Sequence, residues 1–485
     1  MDSTIKALHK NIAEWMAGPT GAVVLHLMLI LALLFLVDFS TTKDDPTIEV
    51  NYVEAVTAPF DPPPPPLVKL TASDLPPDVT PPEVDISAEI TPPETPDFSQ
   101  PAPTVDLAVL DIELNVSPVI IRGLTPSSME GRVGEENRAQ AGKRHGGEWA
   151  AYAEVSVLRA LEWLRVNQNS DGSWGTNDKE AMTGLALLTY LAHGETSSSE
   201  KYGETVTRAI QLLIARQNEE GEFAKTDTTA GTYSQAICVY AVSEAYGMTR
   251  IPAFKPVMEK GAHVLIQGQQ ANGGFDYRFQ KGARRDTSLG GWCSQALKAA
   301  FIAGAENPGL KTAMELAVAD MKSAQKNDGS FMYSNSESHS TSAMTAVAVL
   351  SMQLLGHGRE NPVKDGLAYL RDANCDWKNP PDWPLYAWYY ISQTKFHQGG
   401  GSWTSWNNQF APQFIRNQNE DGSWNSPGLS LKAGSTGREN MHPVYATTLA
   451  ALTLQVYYRF LPTYQPIEEQ AVDQKSDSDV LIQIL

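Results

Sequence analysis

The chain has few cysteines and little positive charge. Its 485 residues include three cysteines, Cys238, Cys293 and Cys375, and no CxxC pair. So sparse and odd a set of thiols argues against a disulfide framework. There are 37 Lys and Arg residues against 56 Asp and Glu residues, and no segment offers the basic face that nucleic-acid binding needs. GxSxG, the local signature of many serine hydrolases, does not occur.

Most of the net negative charge lies in one proline-rich stretch. Between Asp38 and Arg122, sixteen Asp and Glu residues face three Lys and Arg residues, so most of the net charge of -19 lies there. The run Pro62 to Pro66 and three further Pro-Pro pairs favour polyproline II, which spans on the order of 140 Å over residues 58–104 if fully extended. We predict an acidic, proline-rich linker over residues 40–128.

A glutamine followed six residues later by an aromatic recurs five times. In each copy a glycine stands four residues after the glutamine, and a worn sixth copy has Asn374 in the glutamine position, before Trp377. A period of about 50 residues is typical of stacked supersecondary units. The five copies are Gln168 to Trp174, Gln217 to Phe223, Gln269 to Phe275, Gln325 to Phe331 and Gln418 to Trp424.

Each copy is flanked by two predicted helices. The helix before the glutamine is amphipathic, with apolar residues at helical spacing as in Val157, Leu158, Leu161 and Leu164. The helix after the aromatic, as in residues 182–192, is apolar on nearly every side. The sequence therefore predicts helical hairpins, with the second helices forming an inner layer and the first helices lying outside them.

These copies resemble the QW repeat of squalene and hopene cyclases and the related repeat of protein prenyltransferase β subunits. The resemblance covers about residues 150–462 and implies an all-α fold, an α/α toroid of about six helical hairpins. We assign residues 149–462 to it. Residues 129–148 are predicted to be a basic connector lying as a solvated loop across the toroid. Residues 463–485 form an acidic tail, for which an added strand and a recognition peptide both remain open.

An uncharged, leucine-rich run precedes the linker. Gly21 to Val37 is seventeen residues long, at the short end of the roughly 17–25 that a spanning helix needs. Lys6 and Lys10 precede the run and Asp38 follows it, so charge bias places residues 1–20 in the cytoplasm. We predict a retained transmembrane helix at residues 21–39 of a bacterial inner membrane, with the toroid in the periplasm. A cleaved signal peptide is the competing interpretation.

His26 lies inside this apolar run. An ionisable group there is costly unless it reaches the headgroups or faces a membrane partner, and both interpretations remain open. Residues 10–105 resemble the N-terminal part of TonB-type energy transducers, in which a span carrying a histidine precedes a proline-rich reach. The resemblance implies docking of His26 on proton-driven motor proteins. The chain departs from that family at Ala22, where the family has serine, and in the acidic character of its linker.

The catalytic motifs of the resembled families are missing. Alkene protonation uses a DxDD acid cluster, and ionisation of a prenyl diphosphate uses a DDxxD magnesium site. Neither sequence occurs, and neither does the Cys-Gly-Glu-Gln run of complement-like thioester domains. We therefore predict a non-catalytic module without a cofactor that binds an unknown periplasmic ligand or protein. The alternative is an enzyme acting on an isoprenoid or another hydrophobic substrate.

A zinc site is the weakest of the catalytic hypotheses. The prenyltransferase pattern is Asp-x-Cys at the start of an inner helix, but Gly291 holds the aspartate position before Cys293. Asp286 lies seven residues away, about 10 Å along a helix, which is too far for one ion. Sites that combine Cys293 with His339 or His442 remain open, beside the simpler prediction of a buried, apolar cysteine.

The predicted binding site is the mouth of the ring. The N-terminal ends of the inner helices converge there, so their first-turn side chains meet around one cavity. Inner-helix aromatics also occur as plain core residues, and that interpretation stays open. The candidate lining residues are Thr183, Tyr233, Arg285, Asp286, Trp292, His339, Tyr386, Trp388, His442 and Tyr445.

Overall fold

The computed structural model describes residues 131–132, 134–282, 284–336, 339–427 and 443–459. Within these ranges the regular structure is helical, and the β contacts are isolated bridges such as Asp286 with Ser334. The predictions for residues 1–130 (the span, His26 and the linker), for His442 and for the C-terminal tail lie outside the described residues. The described helices are α1 Glu135–His145, α2 Ala150–Val166, α3 Lys179–Ala192, α4 Gly203–Arg216, α5 Thr229–Thr249, α6 Phe254–Gly268, α7 Thr287–Ala303, α8 Leu310–Ser323, α9 Ser342–Leu354, α10 Asn361–Tyr369, α11 Pro384–Gln398, α12 Gly400–Arg416, α13 Pro443–Leu454 and α14 Val456–Arg459.

From α2 to α13 the helices alternate between an outer and an inner layer. The outer helix α4 buries one face, which includes Val206, Ile210 and Leu213, whereas every residue of α9 from 343 to 354 is buried. A helix that is apolar all round must be enclosed, and an amphipathic helix covers it with one face. The predicted assignment of second helices to the inner layer is confirmed.

The six inner helices close into a ring. They pack on one another in the order α3, α5, α7, α9, α11 and α13, and α13 packs back on α3. Gln455, which follows α13, donates through Nε2 to the carbonyl oxygen of Thr189 in α3 at 2.9 Å. In the outer layer, α2 packs on both α12 and α13. The first and last hairpins are therefore neighbours, which confirms a closed toroid and excludes an open solenoid.

The repeated glutamines tie each corner to the next outer helix. Gln168 Nε2 donates to the carbonyl oxygen of Gly172 in its own corner and to that of Thr205 in α4, both at 3.0 Å. The other four glutamines make the same pair of bonds. Gln418 makes its second bond to Ser156 of α2, at 2.8 Å. The last corner thus reaches the first outer helix and closes the ring.

The corner glycine is required by a close backbone approach. Gly273 has φ +93°, and a Cβ there would lie 1.9 Å from the carbonyl oxygen of Leu316 in α8. The other four corner glycines also have positive φ and face a carbonyl of the next outer helix. Any other residue would clash with that carbonyl and adopt a strained backbone.

The corner aromatics lie between the two layers. Trp174 and Trp424 are fully buried, and their indole Nε1 atoms donate to the carbonyl oxygens of Leu164 and Phe414 at 2.7 and 2.8 Å. The hydrogen bond satisfies the one polar group of the indole, so burial leaves no donor without a partner. Replacing such a tryptophan by alanine destabilises a protein by about 3–5 kcal/mol.

The connector is not the solvated loop that the sequence predicts. Residues 135–145 form α1, which packs on α2 and α14, and Arg132 is 1% exposed. The basic side chains misled the prediction because Arg132 is paired inside the protein rather than hydrated. Among the described residues, no helix has both the length and the apolar character that crossing a bilayer needs.

Candidate functional site

Hydroxyl-bearing side chains meet where the inner helices begin. Tyr233 lies in the second turn of α5, Ser288 in the first turn of α7, and Tyr386 in the first turn of α11. The Tyr233 hydroxyl and Ser288 Oγ are 2.6 Å apart, and the Tyr386 hydroxyl lies 3.5 Å from the Ser288 carbonyl oxygen. All three residues keep 8–9% of their surface exposed. We call this group, together with the half-buried Tyr445 of α13, the mouth.

Asp286 caps the N-terminus of α7 beneath the mouth. Its Oδ1 accepts hydrogen bonds from the Leu289 amide at 2.9 Å and from Ser288 Oγ at 2.6 Å, and its Oδ2 lies 3.3 Å from Arg284 Nη2. Because Ser288 donates to Asp286, its oxygen is left to accept from Tyr233. A donor chain therefore runs from the phenol to the carboxylate.

Tyr277 and Arg284, which follow the third corner, and Tyr333, which follows the fourth, border the mouth on one side. The Arg284 guanidinium lies over the Tyr277 ring at 4.7 Å and the Tyr333 ring at 5.9 Å, and it is hydrogen-bonded to Asp276. The Tyr277 and Tyr333 hydroxyls bond to each other. Burial and the Asp286 carboxylate raise the pKa of both phenols, so they act as neutral hydrogen-bonding groups.

Aromatic side chains of α7 and α11 fill the space below the mouth. Trp292 stacks on Tyr389 with ring centroids 5.8 Å apart and meets Tyr390 edge-on at 6.0 Å. Gln295 donates to the Tyr390 hydroxyl at 2.9 Å and accepts from Tyr389 at 3.2 Å. Tyr390 packs on Tyr386 at 4.8 Å. These residues form the floor of the mouth.

The structure brings most of the predicted lining residues together, but three lie between the layers. Thr183 accepts from the Trp174 amide at 3.3 Å, and so completes a corner. Trp388 donates to the Asn374 carbonyl oxygen and stacks on Trp377. Arg285 pairs with Asp320 of α8 at 2.7 Å, with both side chains 3% exposed. These three residues are packing and corner residues: helix register turns Thr183 and Trp388 outward from the ring axis, and Arg285, which precedes α7, is held by Asp320 of the outer layer.

The remaining predicted site residues have separate surroundings. His339 stacks on Tyr333 with ring centroids 5.3 Å apart, so it lies beside the aromatic group at the edge of the mouth. Cys293 is fully buried, and burial raises the pKa of its thiol. Within the described ranges, no group of three or more His, Cys, Asp and Glu side chains could hold a metal ion.

The chemistry available at the mouth is hydrogen bonding and aromatic contact. The Asp286 carboxylate accepts hydrogen bonds from Ser288 Oγ and from the Leu289 amide. The phenols of Tyr233 and Tyr386 can instead donate or accept, and their rings offer apolar faces.

Sequence reasoning missed several of the groups described above. Ser288, Tyr277 and Tyr333 precede or follow helix starts in polar stretches without a motif, so only their proximity reveals them. It also missed two buried basic side chains near the C-terminal ends of inner helices α7 and α11, away from the mouth. Burial lowers the pKa of Lys298 in α7 to about 7, and burial together with Lys298 lowers the pKa of His397 in α11 to about 4.

Comparisons with known proteins show a short similarity to one enzyme. The chain is 35% identical over 82 residues to squalene–hopene cyclase of Zymomonas mobilis, a match that covers 14% of this chain. It spans 12% of the length of that curated relative. No protein-family model matches the chain.

Several solved structures resemble the chain at low identity. A type II terpene cyclase from Scytonema, in complex with geranylgeranyl dihydroxybenzoate, is 14% identical with a TM-score of 0.42, covering 64% of this chain and 97% of its own. An α-1,6-mannanase from Salegentibacter is 11% identical with a TM-score of 0.45, covering 63% and 98%. The assignment of a closed ring rests on the helix contacts of this chain.

Proposed function

We propose that this chain is a membrane-anchored periplasmic toroid that binds a ligand or protein partner at the mouth without catalysing a reaction on it. The observation that carries the proposal is the state of Asp286. Among the described residues, Asp286 is the carboxylate that touches a mouth hydroxyl; it accepts from the Leu289 amide and Ser288 Oγ and pairs with Arg284, so it holds Ser288 in place. A mouth of phenols supported by a fixed acceptor suits recognition.

The side chains of the mouth favour a ligand with an apolar face and polar edges. Tyr233 and Tyr386 present ring faces and hydroxyls on neighbouring sides of Ser288. Aromatic rings supply contact area, and each hydroxyl fixes orientation through a directional bond. Both a partly apolar small molecule and a carbohydrate-like ligand fit this chemistry.

The N-terminal third supports the tethered part of the proposal. The run at residues 21–39 anchors the chain in the inner membrane, and the proline-rich linker carries the ring across the periplasm. His26 then contacts proton-driven motor proteins. A long reach suits a module that must meet its partner away from the bilayer.

A catalytic toroid acting on an isoprenoid or another hydrophobic substrate is the second candidate. The similarity to squalene–hopene cyclase over 82 residues favours it. The chain lacks the DxDD and DDxxD sequences. The catalytic candidate would therefore need an acid other than those clusters. Asp286 already accepts hydrogen bonds from Ser288 and Leu289 and pairs with Arg284.

Native mass spectrometry of the full chain, purified from its own membranes in detergent, tests the proposal. We expect an intact ligand or a partner to remain bound. Tyr233→Phe and Tyr386→Phe each remove one hydroxyl and keep the ring, so we expect each to weaken binding about three- to tenfold, the effect of one hydrogen bond. The matched control is Tyr369→Phe on the outer surface, which should leave occupancy unchanged.

The two candidate functions predict different bound species. A binding module keeps its ligand unchanged after prolonged incubation at high ligand concentration. A bound isoprenoid that is converted to a cyclised or transferred product would establish the catalytic candidate. Equal occupancy in Tyr233→Phe, Tyr386→Phe and the control would show that the ligand binds elsewhere.

A further inference from the structure

Two buried arginines meet at the end of the ring away from the mouth. Arg132 precedes α1, and Arg459 ends α14, so they stand near the two ends of the described chain. Arg132 donates through Nε and Nη2 to the Arg459 carbonyl oxygen, at 3.0 Å in each bond. Both side chains are nearly inaccessible to solvent. The connector and the end of the last helix are therefore held to each other inside the protein.

Among the described residues, Glu244 pairs with Arg132 and also interacts electrostatically with Arg459. Glu244, near the end of α5, accepts from Arg132 Nη1 at 2.8 Å and from Nη2 at 3.3 Å. The Arg459 guanidinium donates to the hydroxyls of Tyr240 at 2.8 Å and Tyr389 at 3.2 Å. A buried carboxylate left without its cation is strongly unfavourable. Loss of Arg132 would therefore leave Glu244 to attract Arg459.

The Arg459 side chain crosses the axis of the ring. Tyr240 belongs to α5 and Tyr389 to α11, which are the second and fifth of the six inner helices. In a closed ring of six, these two helices stand on opposite sides. A guanidinium that bonds to both must lie between them, so Arg459 occupies the central space at this end.

The contacts of Arg459 continue to the mouth. Tyr389 stacks on Trp292 and donates to Gln295. Gln295 in turn donates to Tyr390, which packs on Tyr386 at the mouth. The chain of contacts is unbroken from the connector to the mouth, as coupling between distant sites through packed side chains requires.

We propose that Arg132, Glu244 and Arg459 form a latch through which the connector controls the floor of the mouth. With Arg132 on Glu244, Arg459 stays across the axis and holds Tyr240 and Tyr389. When a partner or tension displaces the connector, Arg459 turns to Glu244, Tyr389 loses its donor, and the floor loosens. The latch concerns the ring itself, so it holds whatever the mouth binds.

Hydrogen exchange of the full chain in detergent, read by mass spectrometry, tests the latch without any ligand. In Arg132→Ala we expect exchange in α11 around Tyr389 and in α7 around Trp292 to accelerate about tenfold or more, through a larger open population. The matched control is Arg144→Ala, which removes an exposed arginine of the same connector; Arg138 is unsuitable because it donates to the Arg132 carbonyl oxygen. The effect of Arg144→Ala should stay within α1, α2 and the end of α3.

A second pair of variants tests the competition for Glu244. Arg132→Lys keeps a cation but loses the planar fork, so it should accelerate the same segments to a smaller extent, and it decides the question if Arg132→Ala does not fold. Adding Glu244→Gln removes the charge that attracts Arg459, and should return α11 exchange to within about twofold of wild type. The latch is overturned if acceleration stays confined to residues 131–149 and the end of α5, or if Glu244→Gln leaves it unchanged.

Discussion

The hydrogen-bond partners of one histidine, at the end of α3, determine its protonation state. His193 Nδ1 lies 2.8 Å from Glu195 Oε1, and Nε2 lies 3.0 Å from Glu154 Oε1. A neutral imidazole has one N–H and can donate to one carboxylate only. Donating to both carboxylates therefore requires the protonated ring, the imidazolium. Because Arg138 of α1 bonds to both Glu154 and the His193 carbonyl, this group also holds the connector on the ring.

The charge of His193 makes stability depend on pH. Burial opposes its charged form, but the bonds to Glu154 and Glu195 raise its pKa above 6.5. A raised folded-state pKa stabilises fully below pH 6.5, and the stabilisation is lost as pH rises through the folded value. We expect the free energy of unfolding, measured with urea, to fall above pH 6.5. His193→Gln should remove about 1.5–3 kcal/mol at pH 6 and flatten this fall.

The same cluster also makes stability fall at acidic pH. The bonds from His193 lower the pKa of Glu154 and Glu195 against the effect of burial. Their contribution is present above pH 4.5 and is lost as pH falls through the lowered values. The exposed His263 of α6 is the control, and His263→Gln should leave the pH profile unchanged. A wild-type profile that stays flat between pH 6 and 8 would contradict the assigned charge.

At the scale of elements, the corners join neighbouring hairpins through hydrogen bonds, as paired strands are joined in a sheet. Each glutamine joins one hairpin to the next by bonds to two carbonyl groups, and each corner glycine lets the next outer helix come close. The corner aromatic then fills the space between the layers. Since every hairpin depends on the next, the elements stabilise one another around the ring rather than singly.

Closure of the ring makes the last corner equivalent to an internal corner. Gln418→Ala removes the bond to Ser156 of α2, and Gln217→Ala removes the bond to Val257 of α6. We expect each to lower the free energy of unfolding by about 1–3 kcal/mol, because both leave carbonyl groups without their donor. In an open array, the last corner would have no such partner.

Denaturant unfolding of the two glutamine variants measures this equivalence. Asn417→Ala is the neighbouring control, because its amide bonds only within α12, to the Gln413 carbonyl oxygen. That variant should lose less than about 1 kcal/mol. A full loss in Gln217→Ala with none in Gln418→Ala would show that the ring is open in solution.

At the scale of the molecule, the chain has two parts of different composition, the proline-rich linker and the ring. Residues 40–128 hold most of the net negative charge and the proline runs. The ring contains the buried arginine and carboxylate groups. In the proposed function, the first part carries the second from the membrane to its partner, with His26 as the contact to the motor.

His26→Ala tests that whole-molecule arrangement. We expect membrane proteins that co-purify with the full chain to fall about tenfold, the effect of losing an interhelical contact of roughly 1–2 kcal/mol. The ring should keep its circular dichroism spectrum and its unfolding transition. His9→Ala, outside the predicted span, is the matched control. Equal co-purification in both variants would remove the motor part of the proposal.

The sequence alone determined the repeat, the helical hairpins and the two layers. Gln168, Gly172 and Trp174 are recognisable because a tight corner admits few residue types, and apolar periodicity separates α3 from α2. Local chemistry of this kind is written into consecutive residues. Leu158 is an exception: the periodicity predicts it on the buried apolar face of α2, but it is 41% exposed. The spacing of a few apolar residues does not determine which of them face the core.

Only the tertiary structure decided which side chains share a site. Ser288, Tyr233 and Tyr386 come from three helices, and the packing of those helices determines their distances. Arg132 is a basic residue in a glycine-rich stretch of the sequence, and it pairs with Glu244 more than a hundred residues away. Ring closure joins residues that are far apart in the chain, and no local pattern encodes that proximity.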